Sequence, residues 1–201
     1  MHIAIAGNIG AGKSSLAKLL ASRFNWNVEY EVVDTNPYLE DYYQDMKRWA
    51  FEMQVYFLNS RFEQLKVIQN SNTPIIQDRS IYEDAYVFAK SLFEQGILSS
   101  RGYNNYLRLF NSMIEQITPP DLLIYLRSSV NQLQVNIQKR ARHYEKKLPE
   151  SYLESLNQHY ENWIHDYLLG PILIIPNDSV DFVKNENELN QIISQVQESF
   201  L

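Results

Sequence analysis

The sequence predicts an α/β fold in which a mainly parallel sheet of about five strands carries helices on both faces. Three observations predict it. Short apolar, β-branched runs recur at residues 3–6, 28–33, 74–77, 122–126 and 172–175. Long segments with helical apolar spacing separate them, which is the pattern of stacked βα units. The first run leads straight into a glycine-rich loop that opens a helix.

That loop reads Gly7-Asn8-Ile9-Gly10-Ala11-Gly12-Lys13-Ser14, a complete G-x-x-x-x-G-K-[ST] phosphate-binding motif. Its glycines let backbone N–H groups turn onto a polyphosphate, Lys13 can reach the β- and γ-phosphates, and the Ser14 hydroxyl can ligate Mg²⁺. The helix that follows, 15–24, spaces Leu16, Leu19, Leu20 and Phe24 along one face and aims its positive end at the same anion. Residues 28–33 form the second strand-type run. Residues 49–68 read as one long helix, with Phe51, Val55, Leu58, Phe62, Leu65 and Ile68 at steps of three or four, ended by Asn70-Ser71-Asn72-Thr73-Pro74. Two further helices, 80–93 and 103–117, are broken by Gly96 and Gly102 and stopped by Pro119-Pro120. The polar tail after Asn185 still spaces Leu189, Ile192, Ile193 and Val196 helically, so it reads as a solvated terminal helix.

A chain of 201 residues without cysteine fits a single domain, 1–201, that needs no disulfide staples and suits a reducing compartment. The net charge of −6 argues against a nucleic-acid partner, whose phosphates demand a basic footprint. No apolar stretch approaches the roughly 20 residues of a membrane span. The expectation is a cytoplasmic protein without nucleic-acid or membrane partners.

A phosphate loop alone admits kinases, ATPases and switch GTPases. The chain has no Asn-Lys-x-Asp guanine-reading motif. After the third strand-type run comes Asp78-Arg79-Ser80, at the C-terminal edge of a parallel sheet, where such folds bind ligands. Asp78 is placed to join Ser14 on Mg²⁺, and Arg79 to offset charge on a transferring phosphoryl group. Asp78 could also be an N-cap of the next helix, a lesser reading that does not exclude the first. Glu31 sits in the apolar edge of the second run, where an unpaired carboxylate is costly unless it is used, which makes it the candidate general base. A solvent-facing strand residue is the alternative. Asp34, Asn36 and Pro37 read as turn chemistry. Gln54 and Arg61, seven apart on one helix, project to nearly the same side, as do Asp84 and Phe88, four apart.

Together the phosphate loop, Glu31-Val32-Val33-Asp34, Phe51-Glu52-Met53-Gln54-Val55-Tyr56, Asp78-Arg79-Ser80-Ile81-Tyr82 and Lys139-Arg140-Ala141-Arg142-His143-Tyr144-Glu145 resemble the deoxynucleoside kinases, and within them the bacterial deoxyadenosine/deoxyguanosine kinase branch related to deoxycytidine kinase. The resemblance spans nearly the whole chain in order. It implies a P-loop kinase fold with an arginine-bearing lid at about 136–148, and transfer of the ATP γ-phosphoryl group to the 5′-hydroxyl of a deoxyribonucleoside with Mg²⁺. It puts Glu31 on the base, Arg79 on the arginine that supports it, and Lys13 on the donor phosphates. Gly7, Asn8, Ile9, Gly10, Ala11, Gly12, Lys13, Ser14 and Ser15 then hold ATP, with Arg140 and Arg142 closing over it. Tyr43 and Glu145 fall on the pair that binds the sugar 3′-hydroxyl, Gln54 on the amide that reads the base, Arg61 and Asp84 on a charged pair near the base, and Phe88 on the stacking ring. A homodimer is also implied. The chain departs from the family where Glu31-Val32-Val33 stands for Glu-Pro-Val, where Met53 stands for an aromatic ring, and where Asn136 stands for an arginine.

The expected substrate order is deoxyadenosine, then deoxyguanosine or deoxycytidine, with thymidine poorest. A thymidylate-kinase-like monophosphate kinase would need a site for the acceptor's own phosphate, whereas this chain offers Glu31 and Glu145, carboxylates suited to hydroxyls. A non-catalytic nucleotide switch would need no acceptor pocket.

Overall fold

A strand buried on both faces must be apolar at every position, and β1 (His2–Ala6) is such a strand, with Ile3, Ala4, Ile5 and Ala6 wholly shielded from solvent. It lies at the centre of a five-stranded sheet with β2 (Asn27–Glu29), β3 (Ile75–Asp78), β4 (Leu122–Arg127) and β5 (Ile172–Pro176), in the order β2-β3-β1-β4-β5. Every pairing is parallel. The computed structural model describes residues 1–31, 33, 36–142 and 148–200.

Alternate residues of the central strands feed two cores. Ile3, Ile5, Ile76, Leu122, Ile124 and Leu126 pack on one face against Leu16 and Leu20 of α1 (Lys13–Phe24) and Ile192, Ile193 and Val196 of α9 (Glu186–Glu198). Ala4, Ala6, Ile75, Leu123 and Tyr125 face Leu58 and Leu65 of α3 (Met46–Gln69) and Leu156, Tyr160 and Trp163 of α8 (Glu150–His165). Each fully buried Leu or Ile contributes about 1.5–3 kcal/mol, so the two-faced sheet carries most of the stabilisation. A third, smaller cluster joins Leu39 and Tyr42 of α2 (Leu39–Gln44) to Ala50 and Met53 of α3 and to Leu92 and Leu98, next to the open C-terminal edge of the sheet.

The five strand-type runs all become strands, with one correction. The second ends at Glu29 instead of running to residue 33. It is an edge strand whose register is Asn27 opposite Ile75 and Glu29 opposite Gln77, and just past it the Tyr30 carbonyl accepts from the Gln64 side chain of α3 at 2.6 Å. The helix expected at 49–68 starts at Met46, because the Asp45 side chain accepts from the Arg48 N–H at 3.0 Å and caps it. The helix expected at 103–117 runs from Ser100 to Ile114 as α6, and Gly102 does not break it: its N–H donates to the capping Ser99 hydroxyl at 3.1 Å. The segment expected at 80–93 is composite, with α4 (Ile81–Glu83), a π-helical stretch Asp84–Ala89, and α5 (Lys90–Glu94). Such stretches gather at functional sites, and this one carries both Asp84 and Phe88. α7 (Val130–Arg140) completes the described helices and ends on Ala141 with a positive φ of 56°.

Candidate active site

The phosphate loop lies between β1 and α1 and is shaped by three left-handed or near-left-handed glycines, Gly7, Gly10 and Gly12 (φ 152°, 86° and 91°). At Gly10 the requirement is double. A Cβ there would come within 2.9 Å of both Ile137 Cγ1 and the Leu133 carbonyl, so α7 closes on the loop only because no side chain intervenes. The loop is pinned from outside by three asparagines. Asn8 donates to the Leu153 carbonyl (3.0 Å) and to Asn157 Oδ1 (2.7 Å) of α8, Asn136 of α7 donates to the Gly10 carbonyl (2.9 Å), and Asn177 donates to the Ala11 carbonyl (2.8 Å). Lys13 folds back onto its own loop, donating to the carbonyls of Gly7 (2.9 Å) and Asn8 (3.1 Å). Burial, aided by the neighbouring Arg79 guanidinium, lowers its ammonium to about 8.

β1 and β3 run side by side in parallel, with Ile5 opposite Asp78, so the loop and the Asp78-Arg79 step emerge at the same edge. The Ser14 hydroxyl donates to Asp78 Oδ2, while Asp78 Oδ1 is buried and has no partner among the described residues. Asp78 is not a helix cap: the Ser80 N–H is taken by Glu83 Oε2 at 2.7 Å, which caps α4. Arg79 holds a φ of 75°, a conformation costing a non-glycine residue about 1–2 kcal/mol. Its side chain is fastened at several points. Nε lies 2.9 Å from Glu31 Oε1, Nη1 donates to the Tyr160 hydroxyl at 2.9 Å, and the guanidinium sits 4.5 Å from the centre of the Phe88 ring.

Glu31 stands two residues past the end of β2 and is held by α3. The Gln64 amide donates to the Tyr30 carbonyl at 2.6 Å, and Arg61 Nη2 donates to Glu31 Oε1 at 2.7 Å. Burial pushes the Glu31 carboxyl up, but the positive charges of Arg79, Arg61 and Lys13 outweigh it and bring it down to about 2. Arg61, itself 2% exposed, also places Nε 2.6 Å from Asp84 Oδ2. Burial pushes the Asp84 carboxyl up to about 7 against the pull of Arg61.

These groups surround one cleft of about 1140 Å³. At one end are loop residues Ile9 to Ser15, at the other Tyr43, Met53, Gln54, Asp84 and Phe88, and between them Glu31, Asp78 and Arg79. A volume of that order accommodates two ligands, since a drug-sized pocket occupies about 300–1,000 Å³. Gln54 is 2% exposed and its Oε1 has no hydrogen-bond partner, which is costly in a protein interior unless a ligand supplies a donor.

The structure therefore brings together Glu31, Arg79, Lys13, Ser14, Asp78, Tyr43, Gln54, Asp84, Phe88, Arg140 and Arg142 around one cleft. Gly7, Asn8 and Arg61 lie behind its wall. Arg61, expected as the charged partner of Asp84, does pair with it, and it also bridges to Glu31. Glu145 lies outside the described residues, as does the part of the expected lid from 143 to 147. Sequence reasoning missed Tyr160, Glu83 and the segment 177–184, which carries Asn177 and Phe182 to the loop side of the cleft. Only Asn177 had a signal, a turn-type Asn-Asp-Ser following a strand. Tyr160 sits in an apolar helical stripe, where nothing separates it from a core tyrosine.

A parallel α/β sheet with a phosphate loop, a Ser14–Asp78 pair and a carboxylate held by two arginines, all on one cleft, fits the class of P-loop phosphotransferases. The family model of the deoxynucleoside kinases matches residues 3–201, and the chain belongs to that family. Among its relatives, deoxyadenosine/deoxycytidine kinase of Bacillus subtilis is 39% identical over 198 residues, covering 96% of this chain and 90% of that protein. Deoxyadenosine kinase of Dictyostelium discoideum is 40% identical over 205 residues, covering 97% and 82%. Among solved structures, deoxyadenosine kinase from M. mycoides with the products dCMP and dCDP superposes with a TM-score of 0.88 at 32% identity, covering 98% of this chain and all of that one; the same enzyme with bound dATP gives 0.87.

Proposed function

We propose that the protein transfers the γ-phosphoryl group of ATP to the 5′-hydroxyl of a deoxyribonucleoside, with deoxyadenosine its preferred acceptor. The observation that carries this reading is the single cleft in which a phosphate loop faces Glu31, clamped 2.7 Å from Arg61 and 2.9 Å from Arg79, across from a buried amide with an unpaired oxygen. The family and its deoxyadenosine kinases support it.

The donor phosphates lie along the loop, where Lys13 leaves the Gly7 and Asn8 carbonyls for the phosphate oxygens and Arg140 and Arg142 close from α7 and its C-terminal end. Mg²⁺ fits this site. Asp78 Oδ1 is buried and unpartnered, Ser14 Oγ is beside it, and the donors are hard oxygens. When bound, the ion offsets charge on the donor phosphates.

Glu31 orients the 5′-hydroxyl and takes its proton. A carboxyl near 2 is a weak base, yet it is ionised at every working pH, and in a loose transition state the attacking oxygen needs its proton removed late. Arg79, whose Nε lies 2.9 Å from Glu31 in the ligand-free arrangement, faces the phosphoryl group. Gln54 supplies the buried amide that reads the base edge, Phe88 the stacking face, Tyr43 and Glu145 the contacts to the 3′-hydroxyl, and the Arg61–Asp84 pair the charged wall next to it. Two hydrogen bonds from an amide to adenine, and an Asp84 carboxyl that crowds the methyl of thymine, favour the purine.

We also read the protein as a cytoplasmic homodimer. Exposed Val67 on α3, Tyr86 on the π-helical stretch and Leu109 on α6 supply apolar surface for a second copy, and among the described residues no helix is long and apolar enough to cross a membrane. The decisive experiment is nucleoside-dependent ADP release with Mg²⁺ATP and each of the four deoxyribonucleosides. Turnover ranked deoxyadenosine first and thymidine last supports the proposal. ADP release that does not depend on nucleoside overturns the kinase reading, and a thymidine-first order overturns the substrate.

A further inference from the structure

The Tyr160 hydroxyl is wholly buried behind the cleft wall, between the phosphate loop and Arg79. It accepts from Arg79 Nη1 at 2.9 Å and lies 2.8 Å from each of two acceptors, Glu83 Oε1 and the Gly7 carbonyl. A phenol has one proton, so it can serve only one of them at a time. In the ligand-free arrangement the Gly7 carbonyl already has a donor, the Lys13 ammonium at 2.9 Å, and Glu83 Oε1 has the Gly7 N–H at 3.2 Å. Burial raises the phenol well above its ordinary range, so it stays protonated throughout.

Resting on the phosphoryl-transfer reading of this site, we infer that Tyr160 is a positioning residue that relays donor binding to the acceptor side: its proton passes from Glu83 to the Gly7 carbonyl when Lys13 leaves that carbonyl for the donor phosphates. A buried carbonyl that loses its donor is costly to leave unpaired, and the Tyr160 hydroxyl is already at hydrogen-bond distance. The handover leaves the buried Glu83 Oε1 with only the long Gly7 N–H contact, at 3.2 Å. Arg79 Nη1, 3.6 Å away, is the cation within reach to fill that place. The same guanidinium holds Glu31 through Nε, so its shift toward Glu83 loosens one arm of the clamp on Glu31 just as the donor arrives. Glu31 Oε1 then keeps the Arg61 arm alone and is a stronger acceptor for the 5′-hydroxyl proton. The rest of the ring is fixed, stacked 5.7 Å from Tyr125 and edge-on to Phe88 at 6.4 Å, so only the hydroxyl hydrogen has to turn.

The test is Tyr160→Phe, which keeps the ring and removes the relay, with Tyr125→Phe as control. Tyr125 lies in the same stack, but its hydroxyl donates to Glu161 at 3.0 Å, on the partly exposed side away from the cleft. Three quantities are compared: thermal midpoint, kcat, and the ratio of nucleoside dissociation constants measured without and with a non-hydrolysable β,γ-imido ATP analogue and Mg²⁺. In the wild type the analogue should tighten nucleoside binding. Tyr160→Phe should bring that ratio to one and lower kcat by about tenfold to a hundredfold, as removing an outer hydrogen-bond partner does, while Tyr125→Phe keeps both. If the wild type shows no tightening, or Tyr160→Phe keeps it, the relay is overturned. A lower thermal midpoint with kcat and ratio unchanged makes Tyr160 structural and also overturns it. A wild type without nucleoside-dependent ADP release fails the phosphoryl-transfer reading, and the relay with it, whereas an active wild type matched by Tyr160→Phe fails the relay alone.

Discussion

Glu31 owes its chemistry to three cations. Alone in a buried position it would resist ionisation; beside Arg79, Arg61 and Lys13 it is held at about 2. Its carboxylate is therefore present at any pH above about 3, so with Asp84, which sits near 7, replaced by Asn, kcat/KM for the nucleoside should be flat from pH 7 down to pH 5. A drop centred between pH 5 and 7 in that variant would mean that the arginines do not clamp Glu31. Lys13 behaves oppositely. Its ammonium is lowered to about 8, so in the free enzyme the charged form is lost as pH rises through that value, and kcat/KM for ATP should fall above pH 8 with the loss of one proton. Bound phosphate favours the ammonium, so the limb in kcat should lie higher. Glu31→Gln should lower kcat with little change in nucleoside binding, because the amide keeps the shape and the acceptor oxygen; a change confined to KM would make Glu31 a binding group. Gln54→Leu separates stability from function. It removes a buried oxygen without a partner, so the thermal midpoint should hold or rise, while kcat/KM for deoxyadenosine falls by about 1–3 kcal/mol of transition-state binding. A Gln54→Leu protein with undiminished kcat/KM would show that the amide does not read the base.

At the scale of elements, the site depends on how closely α7 and α8 close on the phosphate loop. Gly10→Ala would force a methyl to within 2.9 Å of Ile137 and of the Leu133 carbonyl, at a φ of 86°. Strain and overpacking together should cost about 2–4 kcal/mol and weaken ATP binding. Gly96→Ala has the same kind of φ, 69°, but nothing within 4 Å, and should cost only the conformational part, about 1 kcal/mol. Denaturant unfolding of the two variants measures the difference, and equal losses would mean that α7 does not press on the loop. Sequence periodicity made these helices legible, because their apolar stripes are wide and regular. The π-helical stretch Asp84–Ala89 was not legible, since Asp84 and Phe88 read equally well on an α-helical face. Nor was the end of β2 at Glu29, because the residues beyond it are as strand-like as those within it. Pairing there stops where the Gln64 side chain of α3 takes the Tyr30 carbonyl, a contact set by packing and not by local sequence.

Over the whole molecule, the chain's own residues determined a great deal. The glycine pattern with Lys13 and Ser14 has few physical uses other than a phosphate cradle, and the alternation of five strand-type runs with helices left one sheet type open. Asp78 and Arg79 were locatable because the end of a parallel strand is where ligands bind. What the tertiary structure alone decided is which polar groups share a partner. Glu31 and Asp84 are 53 positions apart in sequence, and they meet only because Arg61 on α3 lies between them. Tyr160 follows Gly7 by 153 residues, and its hydroxyl reaches the loop only because α8 packs under β1. Local propensity and apolar period record which face of an element is buried. They carry no trace of a hydrogen bond between buried polar groups brought together by long-range packing, and in this protein those bonds join the two halves of the site.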